Sequence, residues 1–376
     1  MSSRKNSASS AHPRPFKLDV NNNCVPMSNN TIQIGPRIIG RGQPALLIAE
    51  VSQSHDGSLG MAHAFIDAAA EAGADAIKFQ THIAAAESTL DEPFRVKFSR
   101  QDDTRYAYWQ RMEFTPSQWA GLAQHAKERG LVFLSSPFSI AAIELLKSLE
   151  MPAWKVGSGE VLSRDLLDAM LAAGGPILLS TGMSRWDEID RTVADLRVRQ
   201  ATVAVLQCTS QYPTPLEQVG LNVLDEMRQR YACPVGLSDH TGTPFPALAA
   251  LARGCDLIEL HVTFDRRLFG PDVSASVTFE ELAFIRTARD RFAQMDQHPV
   301  DKDRLAEQLT QMRSTFGKSL APARPLTAGT TLTRDQLTLK KPAIGIPADD
   351  LGEVIGRRLA RNVTPDRLLT WEDLQT

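Results

Sequence analysis

Between residues 45 and 262 the chain repeats one pattern. A short run dense in Ile, Val and Leu ends in polar residues and is followed by a longer, Ala-rich amphipathic stretch. The runs are ALLIAEV (45–51), ADAIKFQ (74–80), LVFLSSP (131–137), AWKVGS (153–158), PILLST (176–181), VAVLQCT (203–209), PVGLSDH (234–240) and LIELHV (257–262). Near-continuous apolar runs are what strands covered on both faces require, as in a parallel sheet. The stretches between them read as helices. In GMAHAFIDAAAEAGA, Ala64, Ile66, Ala69 and Ala70 form a core-facing stripe that stops at Gly73. TPSQWAGLAQHAKERG opens with Thr115 as N-cap and Pro116 at the first helical position, and closes at Gly130. SRWDEIDRTVADLR pairs Ser184 with Glu188 in a spacing close to a capping box.

Eight strands alternating with helices over ~220 residues predict a (β/α)8 barrel. A doubly wound open sheet is the alternative, but no GxGxxG or GxxxxGK[ST] phosphate loop follows any run. The gap between Gln80 and Leu131 is long for a connection and predicts an inserted loop or lid over the barrel mouth. Ahead of the first run, TIQIGPRIIGRG alternates around Gly35-Pro36 and predicts a hairpin plugging the barrel floor. The expected division is a disordered tail over residues 1–30, the barrel with its hairpin over 31–294, a linker over 295–318, and a small, mostly β domain over 319–376. The last segment is expected to be β because its short apolar pieces alternate with Gly, Pro and Thr turns.

Composition narrows the function classes. With 43% hydrophobic and 23% charged residues, the chain can bury a large core. A net charge of −3 gives no electrostatic case for nucleic acid or an anionic membrane. The N-terminal segment has no apolar signal region, and no window approaches the ~20 apolar residues of a membrane span. Cys24, Cys208, Cys233 and Cys255 show no paired spacing and are expected as reduced thiols. A cytoplasmic location follows as the expectation.

The chemistry gathers where a barrel places it, at the C-terminal ends of the strands. Glu50, Lys78, Gln80, Ser136, Lys155, Ser158, Glu160, Ser180, Tyr212, Ser238, Asp239, His240, Glu259 and His261 all fall in or just after the runs. Lysines within apolar runs need a matching charge, and bound phosphate or carboxylate supplies one. The serines on successive strands could hydrogen-bond the same phosphate. Glu50 is either a lysine's ion-pair partner or a base. His55 is either a loop residue or a substrate contact. His240 and His261 end adjacent runs. They are either hydrogen-bonded strand-end residues or ligands of a divalent ion, with Asp239 and Glu259 as supporting groups. Adjacency on one barrel rim favours the metal.

The ordered motifs AEVSQSHDGS, GADAIKFQTH, FLSSPFS, WKVGSGE, LLSTGMS, LQCTSQYPTP, GLSDHT and GPD resemble the sialic acid synthase family. The segment from Ser319 resembles that family's antifreeze-like SAF domain. The resemblance implies condensation of phosphoenolpyruvate with an N-acetylmannosamine-type aldose to a nine-carbon 2-keto acid, with release of phosphate. It further implies a Mn2+ or Mg2+ ion on His240 and His261. Lys78, Lys155, Ser136, Ser158, Ser180 and Ser238 would form the phosphoenolpyruvate set, and Glu50, Gln80, Glu160 and Tyr212 would lie at the active centre. It implies a domain-swapped homodimer whose SAF domain caps the partner's barrel. Lys341 stands where the family carries a sugar-contacting arginine, and Ser54 and Ser210 where asparagine is common. A lysine lacks the planar fork of arginine, so the sugar is expected to differ from plain N-acetylmannosamine, with legionaminic or pseudaminic precursors as the related choices. A metal-dependent pyruvate aldolase on the same barrel, and a non-catalytic sugar- or ice-binding protein, are the readings from other classes.

Overall fold

The computed structural model describes residues 31–375. The tail expected over residues 1–30 lies outside the described residues. The chain divides into two compact units after Gln297.

The first unit carries eight parallel strands: β1 (Leu46–Ser52), β2 (Ala76–Thr81), β3 (Val132–Pro137), β4 (Trp154–Val156), β5 (Ile177–Ser180), β6 (Val203–Cys208), β7 (Val235–Asp239) and β8 (Leu257–Thr263). The hydrogen-bonded order is β3-β2-β1-β8-β7-β6-β5-β4, so β8 pairs directly with β1. β3 and β4 lie side by side without ladder bonds and complete a nearly closed (β/α)8 barrel. Helices pack outside, as the periodicity predicts. Leu59–Glu71 is capped by Ser58 and followed by Gly73 at φ +81°. Pro116–Glu128 takes the expected cap, Thr115, and the expected Pro116 at its first position, and adds a capping box between Thr115 and Gln118. The helix expected to start from Ser184 instead takes Arg185 as its cap residue. The Arg185 backbone N–H donates to Glu188 at 2.8 Å, one position later than the spacing suggested.

Strand alternation sorts each run between two cores. Leu47, Ala49, Phe79, Phe133, Leu179, Val205, Leu237 and Ile258 face the helices. Leu46, Ile48, Ala76, Leu134, Leu178, Leu206 and Leu257 fill the barrel interior. The hairpin Ile32–Ile34/Arg37–Ile39 places Ile32, Ile34 and Ile39 against this inner set, sealing the floor. Gly236 is required there. A Cβ on it would sit 2.9 Å from both Leu206 Cγ and Leu257 Cβ.

Further along the same inward positions the residues change character. Glu50, Lys78, Ser136, Lys155, Ser180, Ser238 and Glu259 occupy the upper interior, all buried. The insert between β2 and β3 holds the short helix Ala84–Glu87 and the helix Arg105–Met112. It has its own small core of Ala84, Tyr108, Trp109 and Met112, with Phe94, Phe98 and Tyr106 packed on it.

In the second unit, the segment expected as a linker forms two helices, Lys302–Gln308 and Thr310–Phe316. Beyond them Ser319–Pro322 pairs antiparallel with Leu337–Lys340. Isolated bridges and short turns enclose a core that includes Leu320, Leu332, Ile346, Val354, Leu359 and Leu369. Among the described residues no helix is long and apolar enough to cross a membrane.

Candidate active site

A cavity of about 330 Å³ opens at the C-terminal ends of the strands, with the insert forming one wall. Register explains its lining. Glu50 on β1 pairs laterally with His261 on β8 and with Lys78 on β2. Ser238 on β7 pairs with Glu259 on β8, and Gln80 with Ser136. Residues predicted from separate motifs are thus neighbours on one curved surface.

The charges are matched pairwise. Lys78 Nζ lies 2.7 Å from Glu50 Oε2 and 3.7 Å from Glu259 Oε1. Lys155 Nζ lies 3.4 Å from the same Glu259 oxygen. Lys78 donates to Ser136 Oγ at 3.2 Å, Lys155 to Ser180 Oγ at 2.7 Å, and Ser238 Oγ to Glu259 at 3.1 Å. Burial opposes every one of these charges, yet the balance differs by site. Glu259 is buried but faces two ammonium groups, Lys155 and Lys78, which hold it at about 2. Glu50 goes the other way. Burial outweighs its single lysine and raises its carboxyl above the ordinary range. Burial would lower Lys78, but Glu259 and Glu50 together raise it. Lys155, which shares its only carboxylate with Lys78, is lowered by burial. An anion delivered to this layer would supply Lys155 with a countercharge of its own.

The two imidazoles lie side by side in the cavity lining, with ring centroids 5.1 Å apart and planes tilted by 58°. His240 Nδ1 lies 3.0 Å from the Thr209 carbonyl oxygen, an arrangement that directs its Nε2 toward the Tyr212 hydroxyl at 3.1 Å. A backbone carbonyl on one ring nitrogen, leaving the other for a ligand, is how metal-binding histidines are oriented. His261 is pushed down to about 3 by burial and is a neutral imidazole, with Nδ1 buried and without a hydrogen bond. The pair therefore fits a divalent ion as two nitrogen donors. Among the described residues no third His, Cys, Asp or Glu joins them, so water or substrate oxygens would complete the shell. Burial opposes a charge on His240, but the neighbouring Cys208 sulfur, 3.7 Å away and itself lowered, against burial, by His240 so that it can carry a negative charge, raises it to about 9. An ion would have to displace that proton.

Several predicted residues fall elsewhere. Glu160 lies in the turn after β4 but does not line the cavity; its carboxylate accepts the Ser163 hydroxyl. His55 is buried against Phe114 and Phe79 and accepts the Gly57 N–H at 3.1 Å, which makes it a loop residue. Lys341 belongs to the second unit, where its ammonium lies 5.2 Å from the Phe316 ring centre. Gln80 donates to Glu50 at 2.9 Å, and Ser158 accepts the Gly182 N–H at 3.0 Å, both at the cavity wall. Cys208, Cys233 and Cys255 are free thiols. Cys24 lies outside the described residues.

Some lining residues carry no periodic signal and escape a sequence reading. Arg95, in the insert, donates to Asp272 at 2.6 Å and stacks 4.0 Å above the Tyr212 ring. Asp272 and Gln53 sit inside recognisable motifs but gain roles only through contact. Tyr108, Trp109 and Phe138 supply the apolar wall.

Ionisable groups this deeply buried at a barrel mouth are retained where they act on something bound. The class is an enzyme of the (β/α)8 type whose pocket is built for an anion. The sequence matches the NeuB family over residues 65–299 and the SAF domain over residues 317–375. It is 31% identical to the N,N'-diacetyllegionaminic acid synthase of Campylobacter jejuni, over 86% of this chain and 98% of that protein. It is 31% identical to the N-acetylneuraminate-9-phosphate synthase of Homo sapiens, over 88% and 92%. The N-acetylneuraminic acid synthetase of Leptospira borgpetersenii, solved in complex with citrate, superposes with a TM-score of 0.67 at 27% identity, covering 77% of this chain and 98% of that one. The chain belongs to the NeuB family and is a synthase-type enzyme with a C-terminal SAF domain.

Proposed function

We propose that the enzyme condenses phosphoenolpyruvate with an N-acetylmannosamine-type 2-acetamido aldose, giving a nonulosonic acid and phosphate. One observation carries this reading: two buried lysines share Glu259, two residues before His261 on the same strand, and His261 lies beside His240. The lysine layer suits the phosphate and carboxylate of phosphoenolpyruvate. The cavity lining holds four Lys and Arg side chains, Lys78, Arg95, Arg105 and Lys155, against the carboxylates of Glu50, Glu259 and Asp272. That small surplus does not neutralise a trianion, which favours a cationic cofactor beside it.

Mn2+ or Mg2+ held by His240 and His261 would polarise the open-chain aldehyde as a Lewis acid. The chain's own groups do the rest. Lys78, Lys155, Ser136, Ser158, Ser180 and Ser238 hold the enol phosphate, so that its C3 meets the aldehyde carbon at bonding distance. Positive character develops at C2, where water adds. Glu50, raised by burial and hydrogen-bonded by Gln80, would take the proton from that water. The tetrahedral adduct then expels phosphate by C–O cleavage, and the lysines offset the charge that accumulates on it.

The test is phosphate release from phosphoenolpyruvate with a panel of 2-acetamido and 2,4-diacetamido hexoses, with and without a 6-phosphate, and mass detection of the product. Release that requires both sugar and divalent ion is expected. Keto-acid formation from pyruvate without phosphate release would replace this reading with an aldolase. The legionaminic and pseudaminic precursors are in the panel because Lys341 replaces the family arginine. A domain-swapped homodimer and a cytoplasmic location are part of the proposal. Sedimentation of the intact chain at twice its mass supports the dimer.

A further inference from the structure

His82 follows β2 directly and ends the motif GADAIKFQTH. It is buried and does not line the cavity. Its ring is sandwiched between Trp109, 3.8 Å away at 16°, and Phe138, 4.6 Å away at 5°. Trp109 belongs to the insert helix Arg105–Met112, and Phe138 to the loop after β3. A ring held on both faces can neither tilt nor flip freely, so its two nitrogens point in set directions.

Each nitrogen has a distinct partner. Nδ1 lies 2.5 Å from Glu87 Oε1, on the short insert helix. A carboxylate only accepts, so Nδ1 carries the proton. Nε2 lies 2.8 Å from Gln53 Nε2, an amide nitrogen that only donates, and 3.3 Å from Gln80 Oε1, which only accepts. The shorter contact decides the ring state: Gln80 Oε1 already accepts from Gln53 at 2.7 Å, so Nε2 presents its lone pair to Gln53, and the ring is the neutral Nδ1–H tautomer. Gln53 gives its second amide hydrogen to Gln80 Oε1 at 2.7 Å. Gln80, its carbonyl thus engaged, turns its amide N–H to Glu50 Oε1 at 2.9 Å. Glu50 in turn pairs with Lys78. The direction of every donor along this chain is set by the Glu87 carboxylate at its outer end. Reversing either amide would bring two donors or two acceptors face to face, which a buried network does not tolerate.

Resting on the function proposed above, we infer that His82 is a positioning residue. It locks the amides of Gln53 and Gln80 so that Glu50 is held by Gln80 on one oxygen and Lys78 on the other, and it ties that carboxylate to the insert through Glu87 and Trp109. The insert is thereby more than a wall, since its seating sets the orientation of a catalytic group.

Two readouts separate this inference from the function it rests on. In protein labelled with 15N-histidine, His82 (assigned by loss of its signal in His82→Phe) should show a protonated Nδ1 and a bare Nε2 near neutral pH. That result needs no turnover; a protonated Nε2 would overturn the inference. His82→Phe keeps an aromatic ring in the sandwich but removes both nitrogens. It should lower kcat by about tenfold to a hundredfold, while KM for phosphoenolpyruvate stays within about twofold of the wild type, because the lysine layer is untouched. Should His82→Phe not fold, Glu87→Ala, which takes the acceptor from Nδ1, should lower kcat in the same way, whereas Glu87→Gln, which retains an oxygen that can accept from Nδ1, should keep most of it; a wild-type kcat in Glu87→Ala would overturn the inference. A wild-type kcat in His82→Phe, or a loss confined to KM, would refute the positioning role. If the wild-type enzyme releases no phosphate with any sugar, the proposed function fails, and the labelling result still stands by itself.

Discussion

Replacing Glu259 by glutamine removes the one carboxylate that both buried lysines share, 3.7 Å from Lys78 and 3.4 Å from Lys155. The side chain keeps its shape, so the change is electrostatic. Held at about 2 against an ordinary 4.5, the native carboxyl contributes about 3 kcal/mol to the fold at neutral pH. The sign follows from the lowered value. The contribution is complete above pH ~4.5 and fades as the pH falls toward 2. Breaking a buried pair on one side costs about 3–5 kcal/mol, in the same range. At about 2 °C per kcal/mol for a unit of this size, Tm at pH 7 should fall by about 6–10 °C. The gap between variant and wild type should narrow as the buffer is taken below pH ~4. Inorganic phosphate makes the prediction sharper. In the variant Lys155 lacks a countercharge and Lys78 keeps only Glu50, so phosphate should bind it more tightly and raise its Tm more than it raises the wild type's. At 100 times its Kd the ion restores about 2.7 kcal/mol. Thermal melts with and without phosphate across pH 3–8 measure all of this. Equal melting temperatures at pH 7, with equal responses to phosphate, would refute the claim that Glu259 neutralises this layer.

His240→Ala should abolish divalent-ion-dependent phosphate release while leaving the thermal melt near that of the wild type; full activity would remove His240 from the site. Gly236→Ala drives a methyl into Leu206 and Leu257, and overpacking of this kind should cost about 1–3 kcal/mol, read as a lower urea midpoint. Arg95→Ala cuts the tie between the insert and Asp272; KM for the sugar should rise several-fold with a smaller change in kcat, and unchanged steady-state kinetics would show that the tie is idle.

The barrel was legible because its strands are buried on both faces, and two-sided burial leaves unbroken apolar runs that stand out against helical periodicity. The hairpin was legible for a related reason: its alternation around Gly35-Pro36 leaves Ile32, Ile34 and Ile39 on the side that meets the inner core. Lys78, Lys155 and Glu259 could be singled out because charges within such runs demand partners. Which partner each one takes depends on lateral register, and that is set by the barrel's stagger rather than by any local spacing. Glu160 shows the limit. It follows a strand as the site residues do, but the turn spends its carboxylate on Ser163. Arg95 and Trp109 lie in an insert that has no repeating pattern, and their places at the cavity come from tertiary packing alone. The shift from Ser184 to Arg185 at one helix start is of the same kind, since either residue can precede the first turn and Glu188 reaches only one of them.

The apolar floor has a consequence for the order of events. Ile32, Ile34 and Ile39 stopper the barrel from below, so among the described residues the pocket is reached from the C-terminal ends of the strands. Glu259 sits two residues deeper along its strand than His261, roughly 7 Å at the usual rise. Whatever occupies the lysines would therefore arrive before its co-reactant, and under the proposed chemistry the nine-carbon acid would clear the threshold before phosphate follows it out. A vessel filled from one end imposes a queue, and under the proposed chemistry that queue is first in, last out.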